Sequence, residues 1–352
     1  MRRRILQLHL IVASIAGVFL LILGVTGSIM AFETELWHVM HPHLSYVTPS
    51  GAPLPLATLG EAAKRTSPDA PITGYGLSVS PDLSYQVSLR GRAVYVNQYT
   101  GEVLGVGPSG PDFLSRVHQL HLRLLWRDEH DRGKTIMTWS GVALAALTIS
   151  GLYLWWPLKR LGIRRGGSTY QAWFDLHNLI GIVSLAFLLL LSLTGVFIGF
   201  DDKLTPLAYR LTDSKPQLVY AQTPPLHSAA NGRTMISPDD AIAAARLALP
   251  GAAPISTNVP GPTGVYSIAL RYPEDLTPGG RSRVMVDPYT GAILAAEGSR
   301  SAPAGTRLVT LNRAIHTGDV FGLASKAVVS LMSLAVVGQL VSGFAIWLTR
   351  RK

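Results

Sequence analysis

Four stretches of this sequence are each long and apolar enough to cross a hydrocarbon layer, which takes about 20 residues of helix. They cover residues 5–32, 135–157, 174–200 and 323–348. Only 15% of the 352 residues are charged, against about a quarter in a soluble domain. The first run exceeds the roughly 7–15 apolar residues of a secretion signal, so it is read as a retained span. The expected organisation is a span over 1–32, a polar domain over 33–134, a span over 135–158 and a loop over 159–173. A third span over 174–200, a second polar domain over 201–322, a fourth span over 323–348 and a tail over 349–352 follow.

Charge predicts the orientation. Arg2, Arg3 and Arg4 precede the first span, Lys159, Arg160, Arg164 and Arg165 lie between the second and third, and Arg350, Arg351 and Lys352 follow the fourth. These ten account for the whole net charge of +10, because the other 21 Lys and Arg match the 21 Asp and Glu. Basic loops stay on the cytoplasmic side. Both termini and the middle loop are therefore expected inside a bacterial inner membrane, and the two long polar segments outside. The basic balance reports topology and does not point to nucleic acid.

The chain has no cysteine. Disulfides, iron–sulfur clusters, thiol catalysis and covalent haem attachment are excluded.

The sequence repeats. His9 is followed by Thr26-Gly27 at the distance that separates His177 from Thr194-Gly195. Small residues coincide between these spans at Ala13 and Gly181, Ala16 and Ser184, Gly24 and Ser192, and Gly27 and Gly195. At 100° per residue they lie in a narrow stripe on the histidine's face, where a helix or a flat ligand can approach closely. The second and fourth spans share Ser150-Gly151…Trp155 and Ser342-Gly343…Trp347, each Trp lying where interfacial anchors belong. In the polar segments, Tyr99-Thr100-Gly101 and Tyr289-Thr290-Gly291 each follow an alternating strand, which predicts hairpins. Ser237-Pro238-Asp239-Asp240 is a helix start. The fold expected is a four-helix transmembrane bundle from two parallel repeats, with two small periplasmic α+β domains.

Ionisable residues inside a membrane are functional candidates, and neutral imidazole is a common metal ligand. His9 and His177 occupy matched positions at one depth, so joint ligation is expected of them. His121 and His316 precede the second and fourth spans by similar distances and form a second expected pair. Short interfacial helices are expected there, interrupted at Asp131-Arg132-Gly133 and Gly318-Asp319. His118, one turn before His121 on the same face, competes for the role. His38, His41 and His43 have no counterpart in the other half, and a polar loop is the simpler reading. No metalloprotease, serine-hydrolase or phosphate-loop motif is present, and the cytoplasmic parts are too short for a flavin or nicotinamide fold.

The set Leu8-His9, Thr26-Gly27-Ser28, Ser150-Gly151…Trp155-Trp156-Pro157, Asp175-Leu176-His177-Asn178 and Ile315-His316-Thr317-Gly318 resembles the PepSY-associated transmembrane family. The two Tyr-Thr-Gly hairpins resemble PepSY domains. Within that family the chain is similar to FoxB-type reductases of iron–siderophore complexes. The resemblance implies two b haems held by His9, His177, His121 and His316, with His118 as the alternative ligand. It also implies reduction of a periplasmic ferric siderophore or other Fe(III) chelate, which releases Fe(II). A membrane quinol is the expected donor, since no nucleotide domain is present. A cofactor-free regulatory protein, binding a periplasmic partner through its PepSY domains, is the alternative. A transporter fits less well, because no span is broken at the midplane.

Overall fold

The computed structural model describes residues 1–159, 161–164, 166–217 and 226–350. Arg160, Arg165, Arg351 and Lys352 of the basic clusters lie outside them. In chain order come helices α1 (Arg2–Met30), α2 (Glu33–Met40), α3 (Pro42–Ser45) and α4 (Leu56–Lys64). Strands β1 (Ile72–Gly76), β2 (Tyr85–Leu89), β3 (Arg92–Val96) and β4 (Val103–Val106) follow. Next are α5 (Phe113–Arg123), α6 (Arg132–Trp155), α7 (Thr169–Gly199), α8 (Asp201–Leu211) and α9 (Pro238–Ala248). Strands β5 (Ala253–Asn258), β6 (Tyr266–Arg271), β7 (Ser282–Val286) and β8 (Ile293–Glu297) precede α10 (Ala304–Thr317) and α11 (Leu323–Thr349).

Among the described residues, α1, α6, α7 and α11 are the four helices long and apolar enough to cross a membrane. Helix α1 packs against α6 and α11, and α7 packs against the same two. The bundle therefore carries α1 and α7 on one diagonal and α6 and α11 on the other. Ala16, Leu20, Leu188 and Val336 form its buried middle. Ile15, Val18, Val183 and Leu331 point outward and are more than half exposed, which a lipid surround explains and water does not. This is a multi-pass membrane protein.

Helix α7 begins earlier than the apolar run because Ser168 and Gln171 close a reciprocal capping box before it. Beside it, the Arg164 guanidinium forks onto the fully buried Asp175 carboxylate at 2.8 and 3.0 Å. A buried carboxylate needs such a partner, and the pair folds the α6–α7 loop onto α7. Helix α5 packs against α1 and α6. The chain breaks between α5 and α6 from Leu124 and Leu125 to Asp131, all three at positive φ, so the interruption begins ahead of the predicted Asp131-Arg132-Gly133 and ends at Asp131. Gly133 has another use: a Cβ there would collide with the Arg123 carbonyl.

Residues 34–112 and 208–310 form a second unit. Its strands make one antiparallel sheet in the order β4-β3-β2-β1-β5-β6-β7-β8. Each polar segment contains the hairpin its pattern implies within a four-stranded antiparallel meander, and in place of two separate sheets the two meanders join where β1 pairs with β5, Tyr75 opposite Thr257. The join covers two open edges and requires Gly74, where a Cβ would stand 2.7 Å from the Thr257 carbonyl oxygen. Alternate residues Val87, Leu89, Val94, Val96, Ile268, Leu270, Val284 and Val286 point to one face. Leu56, Leu59 and Ala63 of α4 and Ala241, Ile242 and Ala245 of α9 pack into the same core. Ser237 caps α9 by accepting from the Asp240 amide. The two Tyr-Thr-Gly turns match in detail. Asn97 accepts from the Tyr99 amide and Asp287 from the Tyr289 amide, and Gly101 and Gly291 both sit at φ +72.

Candidate functional site

Both histidine pairs lie in the helical unit. His9 on α1 and His177 on α7 face one cavity from opposite corners of the bundle. The free volume between them is about 760 Å³, counted with its open mouth. Ala13 and Gly181, the small residues one turn beyond each histidine, line it together with Leu144, Leu185 and Gln339. The remaining stripe residues divide their roles. Gly24 admits the α11 backbone, where a Cβ would lie 2.8 Å from the Ser333 carbonyl. Gly27 and Gly195 admit rings instead.

Those rings are His121 on α5 and His316 on α10. Their centres lie 6.5 Å apart with planes tilted by 55°. Burial holds both imidazoles well below their ordinary pKa, so both are neutral and available as ligands.

All four histidines share one local arrangement. His9 Nδ1 lies 2.8 Å from the Ser150 hydroxyl and His177 Nδ1 lies 3.0 Å from the Ser342 hydroxyl. His121 Nδ1 lies 2.8 Å from the Thr26 hydroxyl and His316 Nδ1 lies 3.0 Å from the Thr194 hydroxyl. The residue after each hydroxyl is glycine, and the same ring rests on it. A Cβ would stand 3.7 Å from His9 Cε1 at Gly151, 3.5 Å from His177 Cε1 at Gly343, 3.3 Å from His121 Cε1 at Gly27 and 2.9 Å from His316 Cε1 at Gly195. The spans thus exchange roles. Helices α1 and α7 present a histidine at one end and a Thr-Gly cradle near the other, 18 residues on, which is roughly 27 Å along the axis. Helices α6 and α11 supply the Ser-Gly cradles.

The hydrogen bonds fix the chemistry. A hydroxyl has one proton. Thr26 donates it to the Ile22 carbonyl, Thr194 to Leu190, Ser150 to Ala146 and Ser342 to Gly338. A hydroxyl whose proton goes to that carbonyl accepts from its histidine, which pairs with a proton on Nδ1 and a lone pair on Nε2. That is the tautomer a metal ligand needs.

His118 is placed differently. Its Nδ1 lies 2.9 and 3.1 Å from the two Glu33 carboxylate oxygens, so a carboxylate occupies the atom that His121 turns to Thr26. His41 stacks on Trp37 at 4.0 Å and His38 meets Tyr46 edge-on at 5.9 Å. Among the described residues, no three or more His, Asp or Glu cluster in a way that could hold a metal ion. The sequence reading missed Thr26, Thr194, Ser150 and Ser342 as partners of the histidines. Their signal was their presence in both halves, immediately before a shared glycine.

No curated protein matches the chain closely enough to count as a relative. The model of the PepSY-associated TM region matches residues 6–350, nearly the whole chain. The chain belongs to the family of the PepSY-associated transmembrane region.

Proposed function

We propose that this protein is a two-haem electron carrier of the bacterial inner membrane that reduces chelated ferric iron in the periplasm. One observation carries the reading. Four imidazoles, each turning Nδ1 to a Ser or Thr hydroxyl, are arranged as two pairs toward opposite ends of a membrane bundle. The residues fit the cofactor. A metal held by two imidazoles at about 2 Å on each side sets the ring centres roughly 6–6.5 Å apart, and His121 and His316 stand at 6.5 Å. His9 and His177 flank an apolar cavity whose walls carry Ala13 and Gly181 where a flat ring needs clearance. With no cysteine in the chain, attachment is non-covalent, as in b-type sites.

Held by two histidines, haem would supply one-electron redox chemistry suited to electron transfer rather than oxygen binding. The chain's part is to hold and orient. His9 and His177 would hold one haem, and His121 and His316 the other. The apolar spans keep water from both sites and divide a roughly 30 Å layer into shorter steps. The basic clusters support a cytoplasmic side for the His9–His177 pair and a periplasmic side for the His121–His316 pair, and a ferric acceptor in the periplasm would draw electrons outward. The parallel repeat gives both sites one construction about a common axis. A membrane quinol fits as donor: losing two electrons and two protons, it becomes the quinone and converts two Fe(III) chelates to Fe(II). The paired meanders of the second unit would receive the chelate.

The test is a spectrum followed by mixing. Purified protein should carry two haems per chain and show a Soret band that shifts on dithionite reduction. Reduced protein mixed with ferric siderophores in a stopped-flow cell should reoxidise while ferrozine traps Fe(II). His316→Ala should abolish Fe(II) production and leave the other haem reducible. Colourless protein, or haem that no ferric chelate reoxidises, would refute the proposal and favour a regulatory role for the polar unit.

A further inference from the structure

We infer that Thr26, Thr194, Ser150 and Ser342 are positioning residues that lock the four histidines in their ligating tautomer and set the reduction potential of whatever iron they bind. The inference rests on the haem reading and goes beyond it, because it assigns a redox role to residues that touch neither iron nor substrate.

A Ser or Thr inside a membrane helix ordinarily bonds back to the carbonyl four residues earlier and has no further role. The bundle contains such residues: Ser14 bonds to Leu10, Thr148 to Leu144 and Ser184 to Ile180. The four hydroxyls in question make the same back-bond and in addition take a ring nitrogen at 2.8–3.0 Å. The back-bond leaves the hydroxyl only acceptor capacity toward the ring. At His177 and His316 a backbone carbonyl, that of Gln339 and of Leu191, accepts from the ring as well. With the back-bond, the proton stays on Nδ1, and the glycine beside the hydroxyl lets the ring lie flat against the helix.

An accepting oxygen on Nδ1–H also makes the opposite nitrogen a stronger donor. A stronger donor stabilises Fe(III) more than Fe(II), so each hydroxyl lowers the potential of its site. Removing it should raise the potential. Thr26→Val and Thr194→Val keep the side-chain shape and delete the acceptor, while Thr26→Ser restores it.

The experiment is a redox titration of purified holoprotein in detergent, read at the haem bands, with the ferric EPR spectrum as second readout. The expected result is an upward shift of one haem in Thr26→Val and in Thr194→Val. A tenfold change in the ratio of Fe(III) to Fe(II) affinity corresponds to 59 mV for one electron. The other haem should be unmoved, Thr26→Ser should titrate like wild type, and Ser14→Ala, whose hydroxyl only bonds back to Leu10, should shift nothing. Ser150→Ala and Ser342→Ala should move the other haem in the same direction. Loss of one haem in Thr26→Val that Thr26→Ser repairs also supports the inference. Haem-replete valine variants with unshifted or lowered potentials overturn it and leave the haem reading intact. Wild-type protein without a Soret band overturns both.

Discussion

Adding one methyl group at each of the four cradle glycines should separate ring contact from fold stability. A Cβ at Gly195 would lie 2.9 Å from His316 Cε1 and 3.6 Å from both ring nitrogens. The corresponding distance to the nearest ring atom is 3.3 Å at Gly27, 3.5 Å at Gly343 and 3.7 Å at Gly151. Carbon atoms rest at about 3.5–4.0 Å. Gly151→Ala and Gly343→Ala therefore fit without adjustment, Gly27→Ala asks a few tenths of an ångström, and Gly195→Ala asks His316 for more than half an ångström. Overpacking of this kind costs about 1–3 kcal/mol, roughly a 5- to 150-fold loss of haem affinity if the ring bears it all. Alanine in a helix interior meanwhile gains up to about 1 kcal/mol over glycine. Thermal stability of the haem-free protein should hold or rise in Gly151→Ala and Gly343→Ala and fall in Gly195→Ala, while haem retention falls in the order Gly195→Ala, then Gly27→Ala, with the other two like wild type. Melting of the stripped protein and haemin titration followed at the Soret band measure both quantities. Full haem occupancy in Gly195→Ala, or an equal loss in Gly151→Ala, would refute the cradle geometry.

His9→Ala and His177→Ala should each remove the same haem, so that haem content falls by about half and the remaining spectrum is identical in the two variants. Different residual spectra would contradict a shared site. An alkaline phosphatase fusion at Gly107 should be active and one at Gly166 inactive; the opposite pattern would reverse the orientation drawn from the basic clusters. In the second unit, Ser228 donates to Asp287 at 2.6 Å and, with the Tyr289 and Thr290 amides, holds that carboxyl below its ordinary range. A lowered folded pKa gives stability that is present above the unfolded value of about 3.9 and is lost as pH falls through the folded value. Ser228→Ala should therefore lower the melting temperature at pH 7, with the difference closing near pH 2. An equal difference at both pH values would show that the bond acts without the charge.

The spans were legible because membrane helices are written in long apolar runs, and the hairpins because Asn97 or Asp287 followed by Tyr-Thr-Gly specifies its own turn. Element ends were less so. Helix α7 starts at Thr169, ahead of the apolar run at Phe174, because its first turn is held by a capping box and by Arg164 on Asp175. The union of the two meanders had no local signal. Each half carries the same alternating strands with the same exposed edges, and which edges meet depends on a close approach at Gly74 that no periodicity records.

The histidines show most clearly where sequence reading stops. The repeat singled out His9 with His177 and His121 with His316, but it left His118 and His121 unresolved, one turn apart on one face. Their neighbours in space distinguish them. His118 has a carboxylate on Nδ1, from Glu33 three residues past the end of α1. His121 has a hydroxyl there, from Thr26 inside α1. The carboxylate partner sits at a part-exposed site, with side chains 34% and 37% accessible. The hydroxyl is a neutral partner whose only proton is already directed to its own helix, and it leaves the imidazole buried, uncharged and with one lone pair to offer. Two histidines of equal prominence in the sequence therefore differ in burial and in the partner of Nδ1, and the difference comes from residues 85 and 95 positions away. Those positions, Glu33 and Thr26, lie about two helical turns apart, so the α1–α5 packing that brings Gly27 under His121 also sends His118 to Glu33. Sliding α5 by one turn along α1 would carry one of the two histidines to the other's place and take its neighbour a turn beyond, so the helix register decides which imidazole meets Thr26.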